Sequence, residues 1–342
     1  MAHGRSGCGE PRAARRGVFV SERYARQTVL PEVGSEGQAR IAAATVLVVG
    51  AGGLGSPVLQ YLGGAGIGRL VIVDPDQVEE SNLHRQPLYR MSDLGASKAQ
   101  AAGAALRAAN PAVAIATVPE RLTPGNVAGL LAQTDLAVDA TDSLAATYVL
   151  SDACQRAGKP LVSASVLGLA GYVGAFCGGA PSYRAVFPEM PQRAGSCSQL
   201  GVLGTAVGVI GTLQAQMVLS ILLNLEPSVL GRLVSVDFRT LRIGGFSFAN
   251  ATEPAETPLS FIAIEDVTRA DTVIDLRSAA EAPQSPIAAA LRIGVDELAD
   301  GACELPRDGR IVLCCRSGVR AWRAARALER RGHRHLALIA FG

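Results

Sequence analysis

From Thr45 onward, short apolar runs alternate with longer alanine-rich stretches whose apolar positions recur at helical spacing. VLVV (46–49), LVIV (70–73), LAVDA (136–140) and PLVSAS (160–165) read as strands. Ser56–Gly64, Ser97–Ala109 and Leu144–Gly158 read as helices, the second ended by Pro111, which cannot continue the hydrogen-bond ladder. That alternation predicts βαβ units and a mostly parallel sheet. Over 246–257 the sequence FSFANATEPAET loses apolar periodicity and gathers Pro, Thr and Glu, so 248–258 reads as a linker. Beyond it, VIDLR (273–277) and IVLCC (311–315) read as strands and Val319–Arg331 as a helix, giving a second, smaller α/β unit over 259–342. The first unit then spans 21–247. It is preceded by a Gly-, Ala- and Arg-rich tail, 1–20, which lacks the apolar core of a secretory signal and reads as mobile.

Composition narrows the class. The chain has 342 residues, 49% of them hydrophobic, enough for two domains with a substantial core. A net charge of +2 with no basic stripe argues against nucleic acid as a partner. The most membrane-like stretch, Leu200–Leu225, is interrupted by Gln214 and Gln216 and closed by Asn224, so a buried helix near a subunit interface is expected, and no membrane. The seven cysteines (8, 154, 177, 197, 303, 314 and 315) fit neither a disulfide framework nor a zinc site, and free thiols point to a cytoplasmic location.

The chemistry concentrates in VLVVGAGGLGS (46–56) and DPDQVEESNLHRQ (74–86). Gly50, Gly52, Gly53 and Gly55 remove side chains where backbone turns tightly and approaches phosphate, and the helix that follows offers free N–H groups and its positive dipole end. Asp74, ending the next strand, suits ribose hydroxyls, which NAD and ATP share. Asn82, Arg85 and Gln86 follow, then Lys98 at a helix start; cations there answer a triphosphate and have no use in a nicotinamide site. A GxxxxGK[ST] loop is absent, and only Lys98 and Lys159 are lysines, so Lys98 is either kept for geometry or a solvated helix end. VDATDS (138–143) sets Asp139 and Asp142 at a strand's carboxyl end, where Asp142 can face Mg²⁺ or cap the helix from Leu144.

In the second unit, CRSGVR (315–320) follows a strand and opens a helix. Such a turn surrounds the Cys315 thiol with backbone N–H groups at a helix N-terminus, between Arg316 and Arg320, with Ser317, Gly318 and Val319 completing the loop. Strand alternation turns Cys314 away from that loop as an inert buried thiol.

Taken in order, RYARQ (23–27), GAGGLGS, DPDQVEESNLHRQ, Lys98, VDATDS and SCSQLGVLG (196–204) resemble the MoeB/ThiF adenylyltransferases, related to ubiquitin-activating enzymes, over residues 20 to 247. The resemblance implies a Rossmann-like doubly wound domain, dimerisation, and ATP- and Mg²⁺-dependent adenylylation of the C-terminal Gly-Gly carboxylate of a ubiquitin-fold sulfur carrier. It assigns Asp74 to ribose, Arg85 and Lys98 to phosphates, Asp142 to magnesium, and Arg26 to the nucleotide of the neighbouring subunit. Cys197 falls where some relatives link covalently to the carrier; a small residue in a crossover loop is the plainer reading. Many relatives hold zinc on two Cys-x-x-Cys pairs, but Ser182 and Ala185 stand at the first pair and none follows Asp237, so no zinc is expected. The usual TDN reads Thr141, Asp142, Ser143. The 259–342 segment looks like an abbreviated rhodanese domain, lacking the family's histidine-containing turn over Ser278–Leu291, with Cys315 as persulfide carrier; Asp275 and Arg277 either brace its loop or, for Arg277, lie on the surface. Sulfur would pass from Cys315 to the acyl-adenylate, giving a thiocarboxylate. An NAD-dependent dehydrogenase and a non-catalytic scaffold for a ubiquitin-fold partner are the alternatives.

Overall fold

The computed structural model describes residues 22–191, 201–255, 259–300 and 305–342. The N-terminal tail and Cys197 lie outside them.

The first unit is built on β1 (Thr45–Val49), β2 (Arg69–Val73), β3 (Ala114–Val118), β4 (Leu136–Asp139), β5 (Pro160–Leu167), β6 (Ala170–Cys177), β7 (Arg232–Asp237) and β8 (Arg242–Ser247). They form one sheet in the order β3-β2-β1-β4-β5-β6-β7-β8, parallel from β3 to β5 and antiparallel beyond. Its helices are α1 (Ala25–Thr28), α2 (Gly34–Ala43), α3 (Gly55–Ala65), α4 (Lys98–Ala109), α5 (Val127–Ala132), α6 (Leu144–Ala157), α7 (Tyr183–Val186) and α8 (Gly204–Leu223). The near-continuous Val/Leu/Ile runs of β1 and β2 follow from burial on both faces: Val46, Val48, Leu70 and Ile72 face one apolar cluster, while Leu47, Val49, Val71 and Val73 face another.

Helix α8 is long and apolar enough to cross a membrane by length and composition, yet its buried face lies on α3 and on the sheet. Gly211 allows that approach, since an added Cβ would stand 2.5 Å from Pro57 Cγ and 2.6 Å from the Leu54 carbonyl oxygen.

The second unit has β9 (Ser260–Phe261), β10 (Thr272–Asp275), β11 (Leu291–Arg292), β12 (Ile311–Cys315), β13 (Leu336–Ala340), and helices α9 (Val295–Asp300) and α10 (Val319–Arg330). Its sheet, β11-β10-β12-β13-β9, is parallel throughout. The segment between the units is pinned rather than free. Phe248 stacks on Phe176 at 4.9 Å between centroids, and Glu253 accepts from the Ser182 amide and hydroxyl, each at 2.6 Å.

Candidate functional site

In both sheets the strand order reverses between two neighbouring parallel strands, β1/β4 in the first and β10/β12 in the second. Loops at such a point diverge and open a crevice beyond the carboxyl ends of the strands.

At the first crevice the loops after β1 and β4 touch. Gly50 has φ +95°, and an added Cβ would stand 2.5 Å from the Ala140 carbonyl oxygen. Gly55, opening α3, backs onto the Gly50 carbonyl; an added Cβ there would stand 2.1 Å away. Asp74 is buried at the end of β2, its Oδ2 accepting from the Ala51 amide at 2.7 Å and its Oδ1 from the Asp76 amide at 2.9 Å. Burial pushes its carboxyl above the usual carboxylate range, while those amides and Lys98 pull the other way. Each carboxylate oxygen keeps a further lone pair for a hydroxyl donor.

Arg85 lies across the turn, its Cγ and Cδ 3.6 Å and 3.7 Å from where a Cβ on Gly53 would be, and its guanidinium is held by the Ser81 carbonyl at 3.1 Å. Gln86 is buried with its Nε2 facing Gly52, and its Oε1 has no hydrogen-bond partner. Asn82 is buried and donates to Ser81 Oγ at 3.2 Å. Lys98, expected as either a chosen cation or a solvated helix end, is only 6% exposed, with Nζ 3.0 Å from Asp76 Oδ2. Tyr89 closes this wall by donating to the Ala51 carbonyl at 2.6 Å.

After β4 the two aspartates part company. Asp139 is buried and accepts from the Thr141 amide (3.2 Å) and from the hydroxyls of Thr141 (2.8 Å), Thr147 (2.7 Å) and Ser163 (2.8 Å). Burial raises its pKa against those four donors. Asp142 does not cap α6, because Ser143 does, accepting from the Ala146 amide. Asp142 is exposed, three residues past the end of β4. Gln214, an interruption in an apolar helix by its sequence, reaches from α8 to the Asp139 carbonyl at 2.8 Å. Arg26 stands exposed on α1, whose neighbour Gln27 donates to the Ala65 carbonyl at the far end of α3. The eleven residues of α3, about 16 Å at 1.5 Å per residue, separate that end from the glycine turn of the same chain.

At the second crevice Cys315 ends β12 and is fully buried, its Sγ accepting from the amides of Gly318 (3.1 Å) and Ala321 (3.4 Å). Two amides, not a ring of them, hold the sulfur. Gly318 has φ +83° and no room for a side chain, since a Cβ would stand 2.7 Å from the Phe261 ring. Arg316 and Ser317 are exposed. Arg320 pairs with Glu281 and donates to the Leu276 carbonyl, so its charge is already answered. Arg277 clamps Asp275 through two hydrogen bonds, 3.0 and 2.8 Å, and lies 4.1 Å over the Phe341 ring, bracing the ends of β10 and β13. Cys314 lies in the opposite apolar cluster from Cys315, and burial pushes its thiol up to about 12.

The residues at these crevices that sequence reasoning missed are Tyr89 and Gln214. Only Gln214 left a signal, a polar amide within an apolar helix.

The ThiF family model matches residues 24–257, and the rhodanese-like domain model matches 262–342. Adenylyltransferase and sulfurtransferase MOCS3 of Bos taurus is 48% identical over 229 residues, covering 65% of this chain and 50% of that protein. Sulfur carrier protein adenylyltransferase of Thermus thermophilus is 44% identical over 224 residues, covering 63% and 83% respectively. SAMP-activating enzyme E1 of Haloferax volcanii is 40% identical over 218 residues, covering 63% and 81%. The chain spans about half the length of the MOCS3 relatives it matches. Among solved structures, Escherichia coli MccB shares the fold, with a TM-score of 0.60 at 19% identity over 69% of this chain and 73% of that one.

Proposed function

The chain belongs to the ThiF family and carries a rhodanese-like domain behind it, and from that premise we propose that it activates and sulfurates a ubiquitin-fold carrier. ATP adenylates the carrier's C-terminal Gly-Gly carboxylate, and a persulfide on Cys315 supplies sulfur to the resulting acyl-adenylate. The observation that carries this reading is the crevice wall itself: a glycine turn with an orphaned buried amide oxygen at Gln86, Arg85 across it, and a buried lysine beside it. A buried acceptor without a partner costs about 1–3 kcal/mol and is expected where a ligand supplies the donor.

A carboxylate approaching the α-phosphorus meets charge repulsion, so the rate depends on positioning and on cations at the phosphate oxygens. In this reading the turn's backbone amides and the α3 N-terminus receive phosphate, and Asp74 takes ribose hydroxyls on its remaining lone pairs. Arg85 bridges phosphate oxygens, and Lys98 exchanges the exposed Asp76 carboxylate for phosphate. The exposed Asp142 carboxylate suits Mg²⁺, which when bound neutralises phosphate charge. Arg26, remote from its own turn, fits the nucleotide of a second subunit, and we propose a homodimer on that ground. Free buried thiols support a cytoplasmic location.

Cys315→Ser should abolish thiosulfate sulfurtransfer and leave carrier-dependent ATP–pyrophosphate exchange intact. Asp142→Ala should do the reverse, lowering exchange on the order of a hundredfold. Loss of both activities in either variant overturns this division of labour, and an NADH titration that displaces ATP would overturn the nucleotide assignment.

A further inference from the structure

Trp322 sits one turn beyond Gly318 on α10 and is buried against the first domain. Its ring centroid lies 5.3 Å from that of Tyr148 on α6, and its Nε1–H donates to Glu189 Oε2 at 3.0 Å. Arg326, on the same helix, engages both oxygens of Glu189, at 3.1 Å and 2.6 Å. Arg184, 4% exposed, pairs with Asp152 at 2.6 Å, donates to the Leu259 carbonyl at 3.0 Å, and stands 4.7 Å from the Tyr148 ring centroid. The helix that opens at the Cys315 loop is thus keyed into the first domain by a buried aromatic and a shared carboxylate, with the Arg184 guanidinium 5.6 Å from the Trp322 ring centroid.

That docking brings the two crevices together. A Cβ on Gly318 would stand 3.3 Å from Ala145 Cβ, in the first turn of α6. Ala145 follows Asp142 by three residues, a span of at most about 11 Å of chain. The Arg121 guanidinium, in the stretch after β3, fills the space beside Gly342, whose amide donates to the Arg316 carbonyl at 2.7 Å. The Cys315 loop therefore borders the adenylate crevice of its own chain.

We propose that sulfur transfer runs within one chain, and that Trp322 with Glu189 forms the positioning pair that seats the Cys315 loop beside the adenylate. This rests on the function proposed above. The terminal sulfur of the Cys315 persulfide, as an anion, attacks the carbonyl carbon; a C–S bond forms, the C–O bond to phosphate breaks, and AMP leaves with the electron pair. A low-molecular-weight thiol then attacks the Cys315 sulfur of the acyl disulfide. That thiol is oxidised into a mixed disulfide with Cys315, and the transferred sulfur leaves reduced, as the thiocarboxylate anion.

The test uses full-length chains with ATP, Mg²⁺, thiosulfate and dithiothreitol. The acceptors are small ubiquitin-fold proteins of molybdopterin and thiamine synthesis ending in Gly-Gly, and thiocarboxylate is read by intact mass. Co-assembled Cys315→Ser and Asp142→Ala chains should make no more product than the two variants separately; restoration to a substantial fraction of the wild-type rate overturns transfer within one chain. Glu189→Ala and Trp322→Leu should slow thiocarboxylate formation on the order of tenfold or more while exchange and thiosulfate sulfurtransfer each change less than about twofold. Glu189→Gln, which still accepts from Trp322, should recover most of the rate. An equal fall in either partial reaction marks the pair as merely structural and overturns its positioning role. Absence of thiocarboxylate from the wild-type protein with every acceptor overturns the functional reading itself, an outcome distinct from complementation between chains.

Discussion

The two crevices solve opposite problems with one architecture. Each lies at a reversal of strand order between parallel strands, and each depends on a glycine in a left-handed conformation, Gly50 in one and Gly318 in the other. The first is left open. Gln86 keeps an unpartnered oxygen, Asp142 is exposed and Lys98 is held by an exposed carboxylate, all groups that the nucleotide proposed above would engage. The second is closed on itself, with Cys315 buried, two amides already spent on its sulfur and Arg320 neutralised by Glu281. On the proposed reading, the first crevice receives a large polyanion and so needs unsatisfied polar groups, while the second stores a single sulfur atom and needs them satisfied in advance.

Filling either glycine should disable its own crevice alone. Gly50→Ala combines strain at positive φ with a Cβ 2.5 Å from Ala140 oxygen and should lower exchange by more than about a hundredfold, leaving thiosulfate sulfurtransfer unchanged. Gly318→Ala, blocked by the Phe261 ring, should do the reverse; either variant losing both activities would mean the crevices are not separable. Next in size is Cys314→Ser. A hydroxyl in that fully buried place should cost about 1–3 kcal/mol of stability in urea titration without slowing persulfide loading, unlike any change at Cys315.

Gln86→Leu tests the open crevice alone. Removing an orphaned acceptor should leave the melting temperature equal or higher while raising KM for ATP roughly tenfold, the cost of about one hydrogen bond. A drop in melting temperature with unchanged KM would make Gln86 structural. The smallest effect concerns acid. Hydrogen bonds from Arg310 hold Asp271 down to about 2, below its ordinary 3.8, so folding favours the ionised form. That contribution is complete above about pH 5 and is lost as pH falls toward 2, so the urea midpoint of the second domain should drop over that window, and less so in Asp271→Asn.

Much of this was legible in the chain. Gly50 and Gly318 are each flanked by a strand and a helix within a few residues, so turn, strand end and helix start are written contiguously and can be read without knowing any partner. Of the two roles open to Asp142, capping falls instead to its neighbour Ser143, because either side chain can cap and only the backbone decides which reaches the Ala146 amide. Arg320 reads as a cation for the thiol until the fold brings Glu281, 39 residues away, against it.

The two α/β units, the glycine turn and the cysteine loop are written in the sequence, because φ preference, apolar period and charge type are local properties of a few residues. Tertiary structure alone decided how the loops meet and how the domains sit on one another. Gln214 braces a carbonyl 75 residues distant, and Trp322 finds Glu189 across 133 residues. Such pairs are fixed by packing and by the need to satisfy buried polar groups after the chain has collapsed, and neither condition leaves a period or spacing along the sequence.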